Sequence, residues 1–143
     1  MNSILNNNKN IPAPGFGTDQ IPEGECVINA VTWAIECGYR HIDNADCYNN
    51  QAGVGIAVKK CIEKGVISRE DLFIVNKVPD WKQGYDSTIK CCKESLKTTG
   101  FDYFDLYLVH SPIRRCENWQ KTVLDTYRAI ETLYKEGLVK AIG

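Results

Sequence analysis

Four side chains in this sequence have the types and the spacing to share one proton-transfer site. Asp43 and Tyr48 stand in Gly38-Tyr39-Arg40-His41-Ile42-Asp43-Asn44-Ala45-Asp46-Cys47-Tyr48, Lys77 closes Phe73-Ile74-Val75-Asn76-Lys77, and His110 closes Leu106-Tyr107-Leu108-Val109-His110. Asp43, Lys77 and His110 each sit near the end of an apolar run, 34 and then 33 residues apart. A phenol ionises near about pH 10, so alone it is a poor proton donor at neutral pH. A lysine cation beside it favours the phenolate, and an aspartate paired with the lysine holds that cation in place. A neighbouring histidine can donate a hydrogen bond to the same oxygen and orient it. With no strong nucleophile and few metal ligands, such a set suits protonating a carbonyl while a hydride arrives from elsewhere. Singly, each residue has an ordinary explanation: a solvated lysine, a hydrogen-bonded histidine, a partly buried tyrosine. Their recurrence at equivalent points of consecutive units favours a shared site.

The elements that must position them follow from the apolar pattern. Val27, Ala30, Val31, Ala34 and Ile35 fall at i, i+3, i+4, i+7 and i+8, with Gly38 as a left-handed stop, which predicts a first helix. Val54, Ala57, Val58, Cys61 and Ile62 repeat the spacing before Gly65. Ser68 with Asp71 three residues on caps a short turn into Leu72-Phe73-Ile74-Val75, a run without alternation that suits a strand buried on both faces. Pro79 cannot donate to a ladder and ends it. Ile89, Cys92 and Leu96 mark a third helix stopped by Gly100, and Tyr103 to Val109 a fourth strand. Trp119 to Lys135 reads as a fourth helix with Val123, Tyr127, Ile130 and Tyr134 on one face, and Leu138-Val139-Lys140-Ala141-Ile142 begins a fifth strand after Gly137. Ahead of all these, Ser3-Ile4-Leu5 and Asn10-Ile11-Pro12 flank an Asn-rich segment suited to a tight hairpin. Ala13 to Thr18, with two glycines, is a short first strand that other backbone or a ligand approaches closely.

Strand and helix alternating at this interval imply right-handed crossovers and a parallel sheet. An open doubly wound sheet for dinucleotides carries G-x-G-x-x-G, and Gly15-Phe16-Gly17-Thr18-Asp19-Gln20 lacks the third glycine. A barrel collects its chemistry at the C-terminal ends of different strands. The fold expected is therefore α/β, a partial (β/α)8 TIM barrel of about four and a half units behind an N-terminal hairpin.

Composition fits one soluble domain over residues 1–143, at 43% hydrophobic and 24% charged residues. A net charge of −1 with both signs interspersed argues against a nucleic-acid partner. The start has neither a basic nor an apolar leader region, and no run of 18 apolar residues occurs, which reads as cytoplasmic with no membrane partner. Cys26, Cys37, Cys47, Cys61, Cys91, Cys92 and Cys116 are odd in number and form no C-x-x-C, so they read as free thiols. With only His41 and His110 besides, no spaced metal-binding motif exists, and no metal is expected.

Four ordered motifs make a resemblance specific: Gly38 to Asp43 with Tyr48 and Val54-Gly55, Phe73 to Lys77, Asp102 through Ser111-Pro112, and Glu136 to Gly143. From about Ile11 onward the sequence resembles the aldo/keto reductase family. The resemblance implies Tyr48 as general acid, Lys77 and Asp43 tuning and holding it, and His110 orienting the carbonyl. It implies reduction of an aldehyde or ketone to an alcohol, with hydride from NADPH or, as the alternative, NADH. Gly17, Thr18 and Asp43 would lie against the cofactor, and Asp19, Tyr48, Trp81, His110 and Ser111 against the substrate. The family usually has glutamate where Gln51 stands, tryptophan where Ser111 stands and in many members tryptophan where Asp19 stands, leaving Trp81 as the candidate aromatic wall. A whole barrel needs roughly 250 residues, so the expectation is a truncated barrel domain whose exposed edges associate with a second copy or a complementing half. The alternatives to an enzyme are a non-catalytic half-barrel and a binding or regulatory module.

Overall fold

The computed structural model describes residues 3–5, 8, 10–111 and 118–143; Pro112 and Cys116, named above, lie outside these. The expected hairpin is present, β1 (Ser3–Ile4) running antiparallel to β2 (Asn10–Ile11). Four strands then form one parallel sheet in chain order: β3 (Gly15–Gly17), β4 (His41–Asp43), β5 (Phe73–Val78) and β6 (Leu106–Val109). Helices α1 (Glu25–Glu36), α2 (Gln51–Glu63) and α3 (Tyr85–Thr99) make the crossovers, and α4 (Trp119–Lys135) follows β6. Each helix packs on the next, α1 on α2, α2 on α3 and α3 on α4. The strand order never reverses, so the sheet has no switch point of the open doubly wound kind. Together these are consecutive units of a (β/α)8 barrel.

β5 explains how the site is aimed. Its six residues are all buried, yet they serve two different cores. Ile74 and Val78 join Val31, Ile35, Val54, Val58 and Ile42 under the helices, whereas Phe73 and Val75 join Leu106 and Ala141 on the opposite face, where Leu5 and Ile11 of the hairpin region also pack. Side chains alternate along a strand with period two. Lys77 therefore shares the face of Phe73 and Val75, Asp43 lies opposite in parity to Ile42, and His110 opposite in parity to Tyr107. All three fall on the non-helical face at the C-terminal ends of successive strands.

Two expectations differ from the structure. The fifth strand is reduced to two parallel bridges, Phe104 with Val139 and Tyr107 with Ile142. Phe104 and Tyr107 are the residues that exchange hydrogen bonds across these bridges, and they stand three apart where a regular parallel ladder bonds at every second residue. Between them the Asp105 N–H turns to the Ile74 carbonyl at 2.9 Å. The buried face of α4 is also rotated from the expected one: Thr126, Ala129, Ile130 and Leu133 are inside, while Tyr127 and Tyr134 are exposed. Hydropathy does not mark Thr126 as a core residue. Its hydroxyl goes inside because it accepts the Gly84 N–H at 2.7 Å and donates to the Thr122 carbonyl at 2.7 Å.

Where α2 crosses the end of α3, Gly55 is required by close approach. A Cβ there would collide with the Thr99 carbonyl group, a backbone atom that cannot swing aside. Alanine is the better helix former by about 1 kcal/mol, but overpacking costs about 1–3 kcal/mol. Gly55→Ala is thus expected to lower stability in urea unfolding, and an equal or higher midpoint would contradict this contact.

Candidate active site

The end of β4 is locked to its neighbours before any reactive group is placed. Thr18, fully buried just after β3, donates to the Asp43 carbonyl through its N–H at 3.0 Å and its hydroxyl at 3.2 Å. Buried Asn50 donates through Nδ2 to the Thr18 carbonyl at 2.8 Å and the Ile21 carbonyl at 2.9 Å. Between them the chain makes a 3-10 turn over Asp46–Tyr48, closed by Asn49 at φ 56°. Asparagine visits that left-handed region more readily than most residues. The turn directs the Tyr48 phenol toward Lys77 of the adjacent strand.

Lys77 Nζ lies 2.7 Å from Asp43 Oδ1, 3.0 Å from the Asn44 carbonyl and 3.1 Å from the Tyr48 hydroxyl. An ammonium has three hydrogens, so these three acceptors satisfy it. The Lys77 side chain is 10% exposed and that of Asp43 38%, so the cation is the more desolvated partner and depends on the carboxylate. Because Lys77 donates to the Tyr48 oxygen, the phenol's own hydrogen remains for another acceptor. The Lys77 backbone is fixed in turn: its N–H donates to Asn76 Oδ1 at 2.7 Å, and Asn76 Nδ2 donates to Gln51 Oε1 at 2.7 Å on the helix side.

His110 reaches the group from β6, its N–H bonded to the Val78 carbonyl at 3.0 Å. The sequence suggests a hydrogen bond from this histidine to the phenol oxygen. The structure instead sets the two rings edge to face, centroids 5.6 Å apart at 82°, and places His110 Nδ1 3.3 Å from Cys47 Sγ. Burial and the nearby Lys77 cation hold the imidazole below its ordinary value, partly opposed by Asp43, Asp19 and Asp80. His110 is therefore neutral near pH 7.

The remaining candidates occupy three different strand-end loops. Gly17 ends β3 in open space, with nothing within 4 Å of a Cβ built there. Asp19 is exposed just beyond it. Trp81 lies on the turn Asp80–Lys82 after β5, 62% exposed. Ser111 is half-buried after β6, and its carbonyl accepts Gln83 Nε2 at 2.6 Å. Asn44, Asn50, Asn76 and Cys47 build the site without having stood out in the sequence; the only hint was their density around the tyrosine and lysine. Among the described residues no three His, Cys, Asp or Glu side chains gather as a metal site would require, and no helix is long and apolar enough to cross a membrane.

The aldo/keto reductase family model matches residues 15–143. The chain is 46% identical over 141 residues to the Bacillus subtilis oxidoreductase YtbE, covering 99% of this chain and 48% of that protein. It is 42% identical over 139 residues to a Bacillus subtilis glyoxal reductase, covering 97% and 47%. A crystal structure of a Bombyx mori aldo-keto reductase in complex with NADP superposes with a TM-score of 0.88 at 33% identity, covering all of this chain and 49% of that one. The chain thus spans about half the length of the relatives it matches.

Proposed function

This chain belongs to the aldo/keto reductase family, and on that premise we propose that the protein reduces an aldehyde or ketone to the alcohol with NADPH, NADH being the alternative carrier. The observation that carries this reading is the Asp43–Lys77–Tyr48 chain of contacts at 2.7 and 3.1 Å beside a neutral histidine. These residues move a proton and supply no hydride, so the donor set itself calls for a reduced carrier. The open space at Gly17, the pinned Thr18 and the part-exposed Asp43 fit a flat ring laid against the ends of β3 and β4. Those three residues would hold it, and NADPH when bound would supply the hydride.

The chain's own contribution is the proton. As negative charge grows on the carbonyl oxygen, Tyr48 gives its phenol hydrogen to that oxygen. The Lys77 ammonium stabilises the phenolate left behind, and Asp43 keeps the ammonium from turning away. Neutral His110 donates a hydrogen bond to the same carbonyl oxygen and sets its direction. Water returns a proton to Tyr48 after the alcohol leaves. Asp19, Trp81 and Ser111 would border the substrate, a rim with one large aromatic and two small polar groups.

The experiment is NADPH oxidation by the full-length protein against a panel of aldehydes and ketones. Oxidation that depends on the carbonyl is expected. Tight NADPH binding with no carbonyl-dependent oxidation would replace the reductase reading with that of a binding or regulatory module.

A further inference from the structure

Cys47 is the middle residue of the turn that delivers Tyr48, and its Sγ lies 3.3 Å from His110 Nδ1. A cysteine and a histidine this close admit two chemistries. The imidazole can hold the thiol's proton, which makes a thiolate–imidazolium nucleophile. Alternatively both are neutral and one hydrogen lies between them. The surroundings oppose the ion pair from both sides. Burial raises the Cys47 thiol, with Asp46 and Asp19 adding to it and a backbone hydrogen bond and Lys77 opposing. Burial and Lys77 lower the imidazole. Both groups are neutral near pH 7.

The position of the shared hydrogen then follows from donor and acceptor strength. The bare nitrogen of a neutral imidazole is a good acceptor, whereas sulfur accepts hydrogen bonds weakly. S–H to Nδ1 is the better bond of the two. A neutral imidazole carries a single ring hydrogen, so acceptance at Nδ1 puts that hydrogen on Nε2, the nitrogen Cys47 does not engage. We propose that Cys47 is a positioning residue that fixes His110 in the Nε2–H tautomer. The opposite tautomer would turn a bare nitrogen, instead of a donor, toward a carbonyl oxygen.

This role deepens the reductase reading and rests on it for its purpose, but the tautomer can be read without turnover. The sequence has two histidines, so a long-range 1H–15N spectrum of histidine-labelled protein resolves each ring, with His41→Gln to assign them. The wild type is expected to show His110 with hydrogen on Nε2 and a bare, hydrogen-bonded Nδ1. Cys47→Ser, which keeps a donor, should retain that pattern. Cys47→Val, which is apolar and loses the donor, should shift His110 toward a tautomer mixture. A wild-type spectrum with hydrogen on Nδ1 overturns the proposal even if the valine variant fails to fold, and so does an unchanged His110 in a folded Cys47→Val. In turnover, Cys47→Val should lower kcat more than it raises KM, with Cys47→Ser restoring it. The expected spectrum in a protein that reduces no carbonyl supports the tautomer assignment while removing the reductase reading.

Discussion

Tyr48→Phe is expected to lower carbonyl-dependent NADPH oxidation by about 10²- to 10⁴-fold, the range that a positioned proton donor contributes. The substitution is informative because so little else changes. The phenyl ring keeps its edge-to-face contact with His110 and its place under Lys77 Nζ, which lies 4.9 Å from the ring centroid. Lys77 loses one acceptor of three but keeps Asp43 and the Asn44 carbonyl, so the expected stability loss is about 0.5–1.5 kcal/mol, the net worth of one hydrogen bond. Fold and NADPH affinity should therefore survive while the chemical step slows. The measurements are steady-state NADPH oxidation and, separately, NADPH binding by fluorescence. A rate loss under tenfold with binding intact would take the proton from some other group, and the Lys77–Asp43 pair would then be structural.

The fold was legible where one physical demand dominates. α1 buries Val27, Val31, Ala34 and Ile35 of the stripe its spacing predicts, with Ala30 half-buried. The Leu72–Val75 run, lacking alternation, proves to be a strand with a separate apolar partner on each face. Ser68 and Asp71 meet as the capping pattern requires, Asp71 Oδ2 accepting the Ser68 N–H at 2.7 Å and hydroxyl at 3.0 Å. What hydropathy could not show was burial achieved by hydrogen bonding. Thr126 is buried on α4 by its bond to the Gly84 N–H, and Asn50 is buried by two carbonyls from another loop. Each needs a partner more than 25 residues away, which no local pattern records. The same limit hid the Cys47 contact. The interval between Asp43, Lys77 and His110 was enough to place three groups on one end of one sheet face, but not to say which atom each would address.

A second buried ion pair at the opposite end of the sheet should matter for stability instead of chemistry. Arg69 sits on the 3-10 turn Arg69–Asp71 that leads into β5. Its Nη2 donates to Asp105 Oδ2 at 2.8 Å and to the Tyr103 carbonyl at 2.9 Å, and its Nη1 to the Leu72 carbonyl at 3.0 Å. The guanidinium carbon lies 4.2 Å from the Tyr103 ring centroid and 5.4 Å from that of Phe101. Asp105 Oδ2 also accepts the Ile74 N–H at 3.0 Å, so one carboxylate ties β5, the segment before β6 and the turn together. Both side chains are nearly dry, 15% and 12% exposed. Arg69→Met keeps the stem and removes the charge and the three polar contacts of the head, leaving Asp105 buried against a single N–H. Breaking a buried pair from one side costs about 3–5 kcal/mol, and urea unfolding of Arg69→Met should show a loss of that size. Arg69→Met with Asp105→Asn should recover part of it, because the stranded charge is gone, giving a coupling energy of about 0.5–3 kcal/mol in the double-mutant cycle. In a barrel the N-terminal end of the strands serves stability and the C-terminal end serves chemistry, so Arg69→Met should leave the His110 tautomer spectrum unchanged. A loss under about 1 kcal/mol would mean that the pair is worth no more than an exposed one, and the clamp reading of this end of the sheet would fail.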